Sequence, residues 1–393
     1  MYRFNAVPAL VFGLVLASLA PSAMAATRTW PGAAPCAGTL QACIDNSGDG
    51  DRIEIATNTP IAEDISIYDK NRTLTAAAGY HPVFGPFHWL SITSSGIAGD
   101  RNVSASKLAF DDGYVLAIYN GVGTATYDLR DLVLTHNVLD AQNFIEVDAN
   151  GGTLNAMVYN NRLTGVPRSA IQGIIHLAAR GGTLNANAFY NHVQSTHSGG
   201  AALGSGILAD YAGSASGGAV KLHGNEVRGG FNQGGIAVSE GRSSAPATSF
   251  NASAYSNVIV GAGDDASYGL NFIVYNGTVS AQAIANTITR CSTGIFASDW
   301  ASGTTSGHIN GVVSSNLIRG PFGLYFYSPV TTSLNNDYNL LDVSGNTATL
   351  GVHTIATDAR LVSDDAPRLR AGSPAIDAGD TATVGLGDRK SVV

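Results

Sequence analysis

The sequence predicts an all-β solenoid, a parallel β-helix, and three observations carry that prediction. They are a tandem repeat of 30 residues, a recurring Asn-x-apolar signature, and a composition rich in Gly but thin in charge. The tandem repeat is direct. Gln142 to Ala156 ends in Gly151-Gly152-Thr153-Leu154-Asn155-Ala156, and 30 residues later Gln172 to Ala186 ends in Gly181-Gly182-Thr183-Leu184-Asn185-Ala186. Two such units make the same circuit twice. A circuit this short cannot bury its apolar face alone and must stack on its neighbour.

The signature extends the pattern along the chain. An Asn is followed two places later by Val, Ile or Leu at Asn137, Asn161, Asn191, Asn225, Asn257, Asn286, Asn316 and Asn339. The position between varies freely, which is the alternation of a strand with one buried face. Stacking at about 4.8 Å turns the Asn column into a ladder of amides bonded above and below. Asn also tolerates the left-handed conformation that a sharp turn requires. A second marker is Gly followed by Ile or Leu, at Gly173, Gly206, Gly235, Gly269, Gly294 and Gly323. About ten coils of three short strands are expected, with length differences absorbed in loops. A β-sandwich does not explain identical 30-residue units.

Composition removes several alternatives. Hydrophobic residues are 45% of the 393, enough for a large core, while charged residues are 13%, about half the usual share of roughly 25%. Disorder needs the opposite balance. A net charge of −8 argues against basic nucleic-acid binding. Scarce Glu and Lys argue against a long-helix protein.

Residues 1–25 read as an export signal: Arg3, an apolar run from Ala9 to Ala20, then a small-x-small site at Ala23-Met24-Ala25. The run is shorter than the ~20 residues a membrane span needs. An oxidising destination permits a disulfide between Cys36 and Cys43. Cys291 is left over and reads as a small buried residue. Asp45 to Asp51 reads as a turn, because it lacks the distal Glu of a calcium loop.

At this point the residues resemble a known group, the right-handed parallel β-helix proteins of the pectin-lyase-like fold. Thr39-Leu40-Gln41-Ala42-Cys43-Ile44-Asp45, followed by Gly50-Asp51-Arg52-Ile53-Glu54-Ile55, is similar to their opening of capping helix, turn and first strand. Leu369 to Gly379 is similar to the choice-of-anchor Q segment of exported bacterial β-helices. The resemblance implies a signal peptide at 1–25, a β-helix with its N-terminal cap at 26–350, and a C-terminal cap at 351–393 that ends short of the usual pattern. The helix at about 39–45 is expected to cover the first coil and 351–393 the last.

The repeat register selects candidate binding residues. With Leu, Ala and Val inward, Asn155, Asn185, Met157, Asn187, Tyr159 and Phe189 point outward. Extension of the register places Tyr159, Phe189, His223 and Tyr255 on successive coils, with Lys221 beside them. Exposed rings beside amides and an ammonium suit a sugar chain. A satellite core beneath a long loop is the competing reading. A second file carries Glu146, Asp148, His176, Asp210, Glu240 and Asp299. Apart from Glu146 and Asp148, next-but-one neighbours on a strand, the acids are spread one per coil and read as solvated, and His176 reads as a hydrogen-bonded surface or wall residue.

No Walker loop, His-Glu-x-x-His or Gly-x-Ser-x-Gly motif occurs. Function is therefore expected to be that of an exported, non-catalytic surface or glycan-binding β-helix, secreted, periplasmic or at the cell surface. Its partner would be a polysaccharide or cell-surface glycan, with no nucleic acid, no membrane span in the mature chain and no cofactor. The alternative is a polysaccharide lyase or glycosidase acting on acidic polysaccharide, with Lys221, His223 and Asp210 as catalytic candidates and calcium as a cofactor if it is a lyase.

Overall fold

The computed structural model describes residues 25–95, 100–137, 143–167, 172–197, 204–212, 217–240, 249–263, 267–275, 277–299, 307–327 and 332–380. The expected signal segment, apart from Ala25, lies outside them. The fold is a parallel β-solenoid of about nine turns, against the ten or so expected. Every pairing between its named strands is parallel, and the repeat sits in perfect 30-residue register, with Thr153 opposite Thr183 and Ile145 opposite Ile175.

Each central coil has three strands. One is Thr153–Tyr159, a member of a 12-stranded first sheet. A sharp turn leads to a short strand, Arg162–Gly165, and a loop then leads to a long strand of the second sheet, Gly173–Ala179. The second sheet and the short-strand face merge into one 19-stranded network, because Leu317–Tyr327 runs through both. Inward side chains such as Leu154, Ala156 and Val158 stack on Leu184, Ala186 and Ala188 in one continuous core.

The Asn ladder forms from seven residues, Asn161, Asn191, Asn225, Asn257, Asn286, Asn316 and Asn339, all buried. Asn225 is typical. Its Nδ2 donates to Asn257 Oδ1 at 3.0 Å and to Ala188 O at 2.9 Å, and its Oδ1 accepts from the Asn191 backbone at 3.1 Å and from Asn191 Nδ2 at 3.0 Å. Asn137 does not belong to it: that residue is exposed, and Leu132 donates its N–H to Asn161 Oδ1 at the ladder's end. The left-handed residue of each turn is also not the ladder Asn but the one before it, such as Asn160, Tyr190 and Ser256, each at φ 54. The amide is thus kept for bonding between coils and the strain falls on its neighbour.

The glycine marker has a packing cause. A Cβ on Gly269 would lie 2.4 Å from Ile288 Cγ2, and on Gly294 2.3 Å from Ile318 Cγ2. Those Ile residues are the ones two places after the next coil's ladder Asn. Gly173 falls one residue out of this row, opposite Ser205.

At the N-terminal end, helix α1 (Leu40–Asn46) buries Leu40, Cys43 and Ile44. Thr39 caps it by accepting from Ala42 N, and Glu63 accepts from the N–H groups of Leu40 and Gln41. The buried Arg72 guanidinium donates to Ile44 O and Ser47 O at its other end. Cys36 and Cys43 are joined by a disulfide, and Cys291 is buried. Asp49 and Asp51 are engaged by Asn71, Ala26 and Arg28, as a turn requires.

At the other end, Asn346 and Thr347 accept from the Leu324 and Phe326 N–H groups of the last coil. Ala348 and Leu350 pack against the end of the core, Thr349 O accepts from Asn336 Nδ2 and the Ile355 N–H donates to Asn339 O, so this stretch lies on the last coil before the chain runs back along the short-strand face. Ala359 and Leu361 pack on Leu317 and Leu340. Asp364 and Asp365 reach Arg319, Arg290, Thr289 and Arg228.

Candidate functional site

The outer face of the first sheet carries the residues selected from sequence. Register places Met157, Asn187, Lys221 and Ser253 in one row and Tyr159, Phe189, His223 and Tyr255 in the next. In a third row Asn185 Nδ2 donates to Asn155 Oδ1 at 3.1 Å. The rings form a column with centroids 4.6, 4.9 and 4.7 Å apart and planes within 4° of parallel. Tyr190 packs edge-on against Phe189 and His223. Arg130 donates to Tyr159 Oη at 2.9 Å and to Asp128 at 2.8 Å, closing one end.

The ring faces in this column are therefore turned to one another, which leaves mainly edges for a ligand. The rings are half-buried, neither fully open nor sealed beneath a loop. Burial, with Lys221 beside it, pushes the His223 imidazole below its usual range, so it is a neutral ring at pH 7. That disfavours His223 as a proton donor. Asp210 is on strand Ser205–Tyr211 of the second sheet, whereas Lys221 and His223 are on the first. The three catalytic candidates do not converge.

The acids of the second sheet depart furthest from expectation. Glu146, Asp148, His176, Asp210, Glu240 and Asp299 are all buried, not solvated. They also occupy three rows. Glu146 is opposite His176; Asp148 is opposite Ala178, which is opposite Asp210; Glu240 continues the row of Tyr211. The alternation of strand Ile145–Ala149 puts Glu146 and Asp148 on the same outer face.

Arg180 follows the next strand and clamps both, with Nη2 3.1 Å from Glu146 Oε1 and Nη1 2.9 Å from Asp148 Oδ2. His176 Nδ1 lies 3.8 Å from Glu146. Burial pushes the Asp148 carboxyl up to about 6; Arg180 opposes the rise, and Glu146 and Asp210 add to it. Sequence reasoning missed Arg180, although the repeat aligns it with Asn150, directly after the acids. Among the described residues no group of three or more His, Cys, Asp or Glu side chains is placed to hold a metal ion.

Further along the same outer face lies a feature that sequence reasoning missed altogether. A cleft of about 480 Å³ is lined by Tyr268, Tyr275, Phe296, Asn232, Gln233 and Asn271, within the usual range for small-ligand sites. Asn271 and Phe296 continue the row of Glu146 and His176 through Leu208 and Ala237. Five strand steps separate the acids from Phe296, about 24 Å along the axis. Tyr268 and Phe296 meet at 4.9 Å with planes inclined by 48°, and Tyr325 stacks behind Phe296 at 5.5 Å. The available signal was the glycine marker, since the residue two places after Gly269 and Gly294 faces outward here.

Comparisons with protein-family models, with characterised proteins and with solved structures find no match. No helix among the described residues is long and apolar enough to cross a membrane.

Proposed function

We propose that this is an exported β-helix protein that binds a polysaccharide along the outer face of its second sheet. The observation that carries the reading is the cleft at Tyr268, Asn271 and Phe296, where ring surfaces and side-chain amides converge in a concavity. Rings supply faces for the C–H surface of a sugar and amides both donate to and accept from its hydroxyls. The outer face of a stacked sheet extends along the solenoid axis, the direction in which an extended polymer makes repeated contacts. Export is supported by the pattern of residues 1–25, and the likeness of Leu369–Gly379 to the choice-of-anchor Q segment fits a secreted, periplasmic or cell-surface protein. Affinity electrophoresis of the mature chain through gels containing soluble polysaccharides tests the reading. Retardation by at least one of them is the expected result, and free migration through all of them counts against it.

A second reading is favoured by one observation. Asp148, pushed up to about 6 beside Glu146, is the kind of unequal carboxyl pair that glycosidases use as acid and base. Against it, the Asp148 side chain is only 1% exposed and Arg180 lies over the pair, so a substrate would have to displace the guanidinium. Incubation with uronate polysaccharides, with and without calcium, separates the readings: new reducing ends or unsaturated products that are lost in Asp148→Asn establish catalysis.

A further inference from the structure

We infer that the cleft at Tyr268, Asn271 and Phe296 takes an uncharged sugar unit and excludes uronates. This rests on the glycan reading above and specifies its chemistry. The lining has rings at Tyr268, Tyr275 and Phe296 and amides at Asn232, Gln233 and Asn271, and none of these side chains is charged. A carboxylate bound there would lose its hydration and gain no cation from the described lining in return, which a buried charge does not tolerate.

Asn271 adds a specific demand. Its side chain is buried, with 2% exposure, and its Nδ2 donates to Gln233 O. Its Oδ1 has no donor among the described residues. A buried acceptor left in that state is costly, and because the atom is closed to solvent a hydroxyl reaches it only with a turn of the Asn271 amide toward the cleft. A sugar hydroxyl can donate to it, whereas a carboxylate set at that position, having no proton to give at neutral pH, cannot; the exclusion of uronates rests on the uncharged lining. The Tyr268 and Phe296 rings are inclined and not parallel, so they leave a wedge in which the apolar surface of a pyranose can sit against both.

Among the described residues, the outward rows that lead from Glu146 and Asp148 to the cleft carry acids in excess. The nearest charged cluster in the rows that lead to the cleft is Glu146, Asp148 and Arg180, with two acids to one base, and the whole chain carries net −8. An approaching polyanion is repelled on both counts.

The test uses the full mature chain and isothermal titration with two matched sets of oligosaccharides. One set is neutral (gluco-, manno-, galacto- and xylo-oligosaccharides) and the other is oligouronates of the same lengths. The expected result is binding of at least one neutral series at least tenfold tighter than any uronate. Phe296→Ala and Tyr268→Ala each weaken it by tenfold or more with the circular dichroism spectrum unchanged. Gln282→Ala, on the outer face of the first sheet, leaves it as it was. Asn271→Asp, which puts a charge where the unpaired acceptor sits, also weakens it by tenfold or more. Uronates that bind as tightly as neutral chains, or Phe296→Ala and Tyr268→Ala proteins that bind like the parent, overturn the inference while leaving glycan binding intact. Binding of neither set overturns both.

Discussion

Replacing Asp148 by Asn probes the buried acid cluster through its proton. The carboxyl rises from an ordinary value of 3.8 to about 6 in the fold, driven first by burial and then by Glu146 and Asp210, with Arg180 pulling the other way. A rise of that size corresponds to about 3 kcal/mol. The sign follows from which state binds the proton more tightly. The folded chain does, so the stabilisation it confers is complete below the unfolded value near 3.8 and is lost as pH rises through about 6. The amide that replaces the carboxyl in Asp148→Asn cannot ionise and escapes that loss. The stability of the variant minus that of the parent is therefore expected to rise by about 2 kcal/mol between pH 4 and pH 7, with the titrations of groups remote from Asp148 cancelling in the difference. Because the side chain is almost fully buried, solvent screening does not reduce the effect. Urea unfolding followed by circular dichroism at unit steps of pH measures it. A flat difference, or one that falls with pH, refutes the assignment of Asp148 as a carboxyl that keeps its proton up to about pH 6.

Three further outcomes follow from the architecture. Asn225→Leu leaves Ala188 O and the Asn191 N–H without partners; at about 1–3 kcal/mol for each orphaned group, urea unfolding should show a loss of about 2–6 kcal/mol. Gly269→Ala puts a Cβ 2.4 Å from Ile288 and 2.5 Å from Gly294 O and should cost about 1–3 kcal/mol or more, whereas Gly38→Ala, whose Cβ would meet only Ala42 at 4.0 Å, should be close to neutral in the same assay. Beside the packing of Ala359 and Leu361, the outer part of the C-terminal strap is tied down by surface ion pairs from Arg290 and Arg319 to Asp365 and Asp364, each worth about 0–1 kcal/mol and screened by salt. Hydrogen exchange at Val362 and Arg370 should therefore accelerate in 1 M salt, while the ladder backbone at Asn225 and Asn257 stays protected.

The fold was legible because stacking forces equivalent residues into the same place on successive coils. Asn225 and Asn257 announce their coils by identity, and Leu154 and Leu184 fix which face is inward. Legibility ended where the third dimension entered. Asn137 satisfies the Asn-x-apolar pattern, yet Leu132 holds the ladder position, because a side chain at the end of the column needs only to fill space. Glu146 and Asp148 looked solvated because alternation reports which face a residue lies on, not what covers that face. Arg180 carried no signal of its own, since its reach to two carboxylates depends on the adjacent coil. The cleft was hidden for a related reason. Tyr268, Asn271 and Phe296 belong to coils of unequal length, and only the observed pairing of Leu270 with Ile295 brings their rows into line. The aromatic column shows the reverse limit. Register places its residues in one outward row, as read from the repeat, but equal spacing at stacking distance consumes the very ring faces that made them attractive for sugar.

The central claim is that the second-sheet cleft is where this protein holds a glycan. Affinity electrophoresis of the parent and of Phe296→Ala, side by side through the same polysaccharide gels, tests it most directly. The expected result is retardation of the parent by at least one polysaccharide and its loss in the variant, with both migrating alike in a gel without polysaccharide. Equal retardation of the two proteins, or none for the parent in any gel, contradicts the claim.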